Sequence, residues 1–147
     1  ERLYQHEDLA SIDLQAYIED ICEGLNATYG TKERHIKIKL DIPTLMVEAD
    51  TALSLGLIVN ELVSNSIKYA FPDRYGHIAI YLKPEHENTY TLTVHDDGVG
   101  LPTDFEVRRK KSFGLQLVSS LARKLGGNIE FSNNNGTKSI LHFVLAS

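Results

Sequence analysis

The chain has 147 residues, 42% of them hydrophobic and 24% charged, a single cysteine, and a formal net charge of -5. That length and composition fit one core-forming domain, and the acidic balance gives no global attraction to nucleic acid or to an anionic bilayer. The lone Cys22 excludes an internal disulfide and a cysteine-based zinc cluster, and no apolar run approaches the roughly 20 residues needed to span a membrane.

Residues 1–12 begin with Glu1 rather than Met and have little core-forming content, so they read as a linker from an upstream region, with the domain proper over residues 13–147. Leu14, Tyr17, Ile18, Ile21, Cys22 and Leu25 then recur at helical spacing, with Asp13 as N-cap and Gly30 as terminator. Ile36, Ile38, Leu40 and Ile42 alternate with Lys37, Lys39 and Asp41 until Pro43, which predicts a strand with one wet face, and a short Met46–Glu48 strand follows. From Asp50 to Phe71 the period is helical again, ending before Pro72, with Gly56 as its one weak point. This helix places Leu62, Val63, Ile67 and Ala70 on one side and Glu61, Asn65, Lys68 and Tyr69 on the other. An acid, an amide and an ammonium one turn apart could hold a hydrated cation and an anion together, although such residues are also ordinary on a solvated face.

Ile78, Ile80 and Leu82 alternate, Pro84 to Asn88 is turn material, and Tyr90, Leu92 and Val94 alternate in turn, which predicts an antiparallel hairpin. Two more places along that second strand lies Asp96, a carboxylate on the buried face. Such a group needs hydrogen-bond donors from the protein or from a ligand. Asp96 to Pro102 is a turn punctuated by Gly98 and Gly100, and Thr103 to Ser112 reads as a polar loop carrying Arg108, Arg109, Lys110 and Lys111. Leu117, Val118, Leu121, Ala122 and Leu125 predict a third helix that starts near Gly114 and ends at Gly126-Gly127. A last hairpin joins Asn128–Ser132 to Thr137–Ala146 across Asn133–Gly136. Three amphipathic helices and five or more strands, most of them in hairpins, predict an α+β two-layer sandwich. Its sheet is mixed and largely antiparallel, with the helices on one face.

The polar helix face, the buried Asp96 with its glycines and the basic loop running into a glycine-started helix together describe a purine nucleotide site. Asp96 can accept a hydrogen bond from an exocyclic amine, Gly98 and Gly100 leave room for a flat base, Asn65 suits a hydrated Mg²⁺, and the helix end at Gly114 suits phosphate.

Asn60 to Ala70, Asp96 to Gly100 and Ser112 to Leu117 resemble, in order, the N, G1 and G2 boxes of the histidine-kinase ATP-binding domain, in the gyrase, chaperone, histidine-kinase and mismatch-repair ATPase superfamily. The wording of the first and third boxes is similar to the subgroup of sensor histidine kinases with the second type of dimerisation and phosphoacceptor domain. The resemblance spans roughly residues 14–146. It implies the Bergerat fold, ATP and Mg²⁺ as cofactors, and transfer of the γ-phosphoryl group to a histidine on a dimerisation domain absent from this chain. It implies Asn65 as the Mg²⁺ ligand, Asp96 as adenine reader, Lys68, Tyr69, Lys111, Leu115 and Thr137 as nucleotide contacts, and Gly98, Gly100 and Gly114 as pocket-shaping residues. Glu61, Asn65 and Lys68 would be catalytic.

The implied partners are the phosphoacceptor domain of the same protein, in a parent that is a homodimer, and a downstream response regulator; the implied location is cytoplasmic. None of the six histidines has a phosphoacceptor setting, His6 included, so the chain alone is not expected to phosphorylate itself. Glu61 stands where many histidine kinases carry Asn and is similar to the water-positioning acid of the superfamily's ATPases. The alternative is therefore an ATPase switch or a serine kinase like those that act on anti-sigma-factor systems. Ser112 in place of the first glycine of its box, after a short loop, departs from lids that wrap the phosphates.

Overall fold

The computed structural model describes residues 11–145. His6 and most of the linker read over residues 1–12 lie outside the described residues. In chain order the elements are β1 (Ile12–Asp13), α1 (Leu14–Tyr29), β2 (Ile36–Asp41), β3 (Met46–Val47), α2 (Ala49–Tyr69), β4 (Gly76–His86), β5 (Thr89–Asp96), α3 (Phe105–Lys111), α4 (Phe113–Lys124), β6 (Asn128–Asn133) and β7 (Thr137–Val144).

Five strands form one sheet in the order β2-β4-β5-β7-β6, and β1 pairs with β3 in a small antiparallel ribbon. Only β2 and β4 run parallel within the five-stranded sheet. A parallel pair needs a long crossover, and the chain from β2 to β4 supplies it with α2. The mixed, largely antiparallel sheet with helices on one face is the architecture expected from the sequence.

Alternation decides which face is covered. Ile78, Ile80 and Leu82 of β4, Leu92 and Val94 of β5, and Leu141 and Phe143 of β7 are buried. They meet Leu55, Ile58, Val59, Leu62, Val63 and Ile67 of α2, Leu14, Ile18 and Cys22 of α1, and Val118 and Ala122 of α4 in one core. Each fully buried aliphatic side chain contributes about 1.5–3 kcal/mol. α2 lies between the other two long helices, packing on α1 and on α4. Gly56 explains itself here: a Cβ would fall 2.5 Å from the Tyr17 ring of α1, so the glycine that weakens the helix also lets two helices approach.

The ends follow local chemistry. Asp13 Oδ1 accepts from the Ala16 N–H at 3.1 Å, and Gly30 closes α1 in the left-handed region with φ 60°. α2 starts one residue earlier than expected and stops at Tyr69; Glu48 precedes it without a side-chain cap bond, and Asp50 supplies the acid of the first turn. β4 runs through the expected turn as far as His86, with a register irregularity between Pro84 and His86. Pro84 is tolerated because the pairing with β2 ends at Tyr81, so no partner there needs its missing N–H.

One segment differs in kind: Phe105–Lys111, expected as loop, is the short helix α3. It has no buried residue of its own. Tertiary contact holds it instead: Phe105 meets the Phe131 ring of β6 edge-on at 5.1 Å, and the Arg109 guanidinium lies 5.0 Å from the same ring.

Candidate functional site

The inward face of the sheet does not stay apolar to its end. Asp96 continues the buried set of β5 and is 2% exposed, and the fold satisfies it from three directions. Ser66 Oγ of α2 donates to Oδ2 at 2.7 Å, while the backbone N–H groups of Gly98 and Thr137 both donate to Oδ1 at 3.0 Å. A carboxylate has about four acceptor positions, and Oδ2 takes only one donor here. Asp96 therefore keeps acceptor capacity on the oxygen that the protein uses least.

That capacity faces a cavity of about 660 Å³. α2 contributes Leu62, Asn65, Ser66 and Tyr69 to its wall; the turn after β5 contributes Val99, Gly100, Leu101 and Pro102; β6 and β7 contribute Phe131, Thr137 and Ser139. Phe105 and Arg108 of α3, with Ser112 and Leu115 at the start of α4, complete it. An apolar slot of this size, with one buried acceptor at its base, suits a flat heterocycle that offers an amine.

The expected site residues divide into two groups. Asn65, Tyr69, Asp96, Gly100, Leu115 and Thr137 line the cavity together, whereas Glu61, Lys68, Gly98, Lys111 and Gly114 are not among its lining residues. Lys68 is exposed, with its ammonium 5.9 Å from the Tyr69 ring centroid. Lys111 is exposed at the last position of α3. The cation that lines the cavity is Arg108, one turn earlier, and it is paired with Asp104 at 2.8 Å. This pairing holds the Asp104 carboxyl below its ordinary range.

Each of the three glycines is also required by the protein's own packing or backbone. A Cβ at Gly98 would fall 2.3 Å from the Ala70 carbonyl, and Val99 N–H donates to that same oxygen at 2.9 Å, so Gly98 seats the turn against the end of α2. Gly100 has φ +87°, which only glycine adopts readily. A Cβ at Gly114 would lie 2.0 Å from a Glu61 carboxylate oxygen. The start of α4 thus packs directly on Glu61. Ser112 caps that helix, its Oγ accepting from the Leu115 N–H at 3.1 Å.

Ser66, Ser139, Phe105 and Phe131 line the cavity without having been singled out in the sequence, whereas Arg108 was named only as part of the basic run. Ser66 had a usable signal, because it lies four residues after Leu62 and three after Val63, on the apolar side of α2. Among the described residues no group of three or more His, Cys, Asp or Glu could hold a metal ion. The donor set, an amide at Asn65 and a carboxylate at Glu61 one turn before it, instead fits a cation that arrives with its own oxygen ligands, as Mg²⁺ does with phosphates.

Comparison with known proteins identifies the family. The family model described as histidine kinase-, DNA gyrase B-, and HSP90-like ATPase matches residues 50–147. Blue-light-activated histidine kinase 2 of Erythrobacter litoralis (strain HTCC2594) is 30% identical over 149 residues, an alignment covering 95% of this chain and 42% of that protein. Sensor histidine kinase PdtaS of Mycobacterium tuberculosis is 27% identical over 124 residues, covering 81% of this chain and 25% of that one. Among solved structures, the histidine kinase domain from the Erythrobacter litoralis EL346 blue-light activated histidine kinase superposes with a TM-score of 0.83 at 29% identity, covering 97% of this chain and 70% of that chain. The chain spans less than half the length of these curated relatives. With the match covering α2, the Asp96 turn, α4 and the last hairpin, this chain belongs to the histidine kinase-, DNA gyrase B-, and HSP90-like ATPase family, and its cofactor is ATP.

Proposed function

We propose that the chain is the catalytic ATP-binding domain of a sensor histidine kinase, which donates the γ-phosphoryl group of ATP to a histidine on a dimerisation domain elsewhere in the parent protein. The observation that carries this reading is Asp96: a buried carboxylate with three protein donors and remaining acceptor capacity in the wall of a cavity of about 660 Å³. The adenine amine takes that capacity, and guanine, which has a carbonyl there, meets an acceptor with an acceptor.

Asn65 is the proposed Mg²⁺ ligand, and the bound cation neutralises charge on the phosphates. Arg108, which lines the cavity beside its partner Asp104, would add positive charge toward the same phosphates, with Lys68 and Lys111 near the rim. In phosphoryl transfer the protein chiefly positions the reactants and stabilises charge; α2 does the first and the α3 cations the second. The acceptor domain has a surface to meet at the start of α4: Phe113 is 91% exposed and Leu117, one turn on, is 45% exposed. Large apolar side chains left in water beside a site suit a partner. The parent is proposed to be a cytoplasmic-facing homodimer that passes the phosphoryl group to a response regulator. No helix among the described residues is long and apolar enough to cross a membrane.

Asp96→Asn tests the reading. Its amide replaces one acceptor oxygen with a donor, so ATP affinity measured by titration calorimetry should fall at least tenfold while the melting temperature changes little. Unchanged ATP affinity would remove Asp96 as the adenine reader. A second reading, hydrolysis of ATP by water, is favoured by Glu61 alone. Steady phosphate release that disappears in Glu61→Gln would support it.

A further inference from the structure

We propose that Asn133 is a positioning residue of the nucleotide cavity, one that fixes the spacing between the turn after β5 and the β6–β7 hairpin. The inference rests on the nucleotide reading of that cavity. Asn133 is the last residue of β6 and does not line the cavity. Its side-chain Oδ1 accepts from the Leu101 N–H at 2.7 Å. Gly100, immediately before, turns with φ +87°, and a Cβ there would fall 2.7 Å from the same oxygen. The Gly100–Leu101 backbone is therefore shaped around the Asn133 carbonyl, and both residues form part of the cavity wall.

On its other side the hairpin is fixed to β5. The His95 ring donates through Nε2 to the Asn134 carbonyl at 2.7 Å and Thr137 N–H donates to Asp96 Oδ1 at 3.0 Å, while Asn134 N–H closes the hairpin turn itself on the Gly136 carbonyl at 2.9 Å. A Cβ at Gly136 would lie 1.9 Å from the Asp96 carbonyl, so this contact leaves no slack. The hairpin is thus anchored at the Asp96 end of the cavity. Asn133 ties the Gly100–Leu101 wall to that anchor, and among the described residues it makes the only hydrogen bond between the Gly100–Leu101 backbone and the hairpin. Because Asn133 and this bond lie at the surface, water can satisfy the Leu101 N–H if the amide is removed. What is lost is the wall's position, not the fold.

Only an acceptor is required of the side chain, which gives a conservative rescue: Asn133→Asp keeps the oxygen and Asn133→Ala removes it. The test uses the full chain, ADP as probe in titration calorimetry, thermal melting without nucleotide, and hydrogen exchange of the Leu101 amide. In Asn133→Ala the Leu101 amide should exchange faster, the melting temperature should stay within about 2 °C, and ADP should bind about three- to tenfold more weakly, the scale of one hydrogen bond. Asn133→Asp should restore slow exchange and bring ADP affinity to within about twofold of the parent chain. Undiminished ADP binding by Asn133→Ala, failure of Asn133→Asp to restore it, loss of the fold in Asn133→Ala, or an unprotected Leu101 amide in the unmodified chain would each overturn the proposal. Absence of ADP binding by the unmodified chain would instead overturn the nucleotide reading, and Leu101 exchange would still report on the tie.

Discussion

Asn65 offers the cavity a neutral amide from α2, half-buried and with no side-chain hydrogen bond among the described residues. If it holds Mg²⁺ with the phosphates, Asn65→Ala should make ATP affinity nearly independent of Mg²⁺ and lower phosphoryl transfer by at least tenfold. Calorimetry with and without the cation checks this, and a variant that keeps its full Mg²⁺ dependence would place the metal on other groups. Asp97, next to the buried Asp96 but facing out, behaves differently. Burial pushes its carboxyl up, yet the His77 backbone N–H at 2.7 Å, the His77 ring at 3.0 Å and the charge that ring can carry outweigh it, so the net shift is downward. A depressed carboxyl stabilises the fold above its unfolded value, about 4 for an aspartate, and that contribution fades as pH falls through the folded value. Solvent screening keeps it small, because about half of the side chain is exposed. Asp97→Asn should therefore flatten the acid side of a melting-temperature profile between about pH 5 and pH 3; an unchanged profile would assign the acid loss to other carboxylates. The contrast between these neighbours was legible beforehand, since strand parity alone sends Asp96 inward. Which of the cations after it meets the cavity was not. Of the run Arg108 to Lys111, Arg108 lines the cavity and Lys111 does not, because the facing side of a segment depends on its helical phase, and that phase is invisible when the segment reads as a loop.

At the scale of elements, α2 has two roles at once, with its apolar side at the centre of the core and its polar side on the cavity. Gly56 marks where the first role constrains the sequence. Replacing a mid-helix glycine with alanine ordinarily stabilises by about 0.5–1 kcal/mol, but here the added methyl would meet Tyr17 at 2.5 Å and Ile21 at 2.9 Å. Overpacking of this kind costs about 1–3 kcal/mol. Gly56→Ala should lower the melting temperature, and a rise would mean that Tyr17 moves aside freely. The long elements were readable because each buries a periodic stripe. α3 was not, since its order comes from Phe105 and Arg109 resting on Phe131 and from the Arg108–Asp104 pair, contacts that exist only once β6 is folded beside it. Ser66 shows a different limit: its position on the apolar side could be read, but its partner, Asp96, lies 30 residues away.

For the molecule as a whole, the proposed division of labour puts the phosphodonor in this chain and the phosphoacceptor outside it. Incubated with γ-labelled ATP, this chain alone should remain unlabelled, whereas adding the parent's dimerisation domain in trans should produce acid-labile, base-stable phosphohistidine on that domain. Stable label on His6 would reverse the assignment. The two-layer architecture was legible from alternation and helical period together, while the cavity was legible in part: Asn65, Tyr69, Asp96, Gly100, Leu115 and Thr137 were named, but Phe105, Phe131 and Ser139 come from stretches that no local pattern relates to them. The strand β5 gives this assembly an inheritance rule. Residues Leu92, Val94 and Asp96 point inward because they are two apart, and a one-residue insertion or deletion between them would turn His95 or Asp97 toward the core in place of Asp96. Relatives that keep the pocket can therefore vary the length of this stretch only in steps of two, or must absorb an odd change with a bulge.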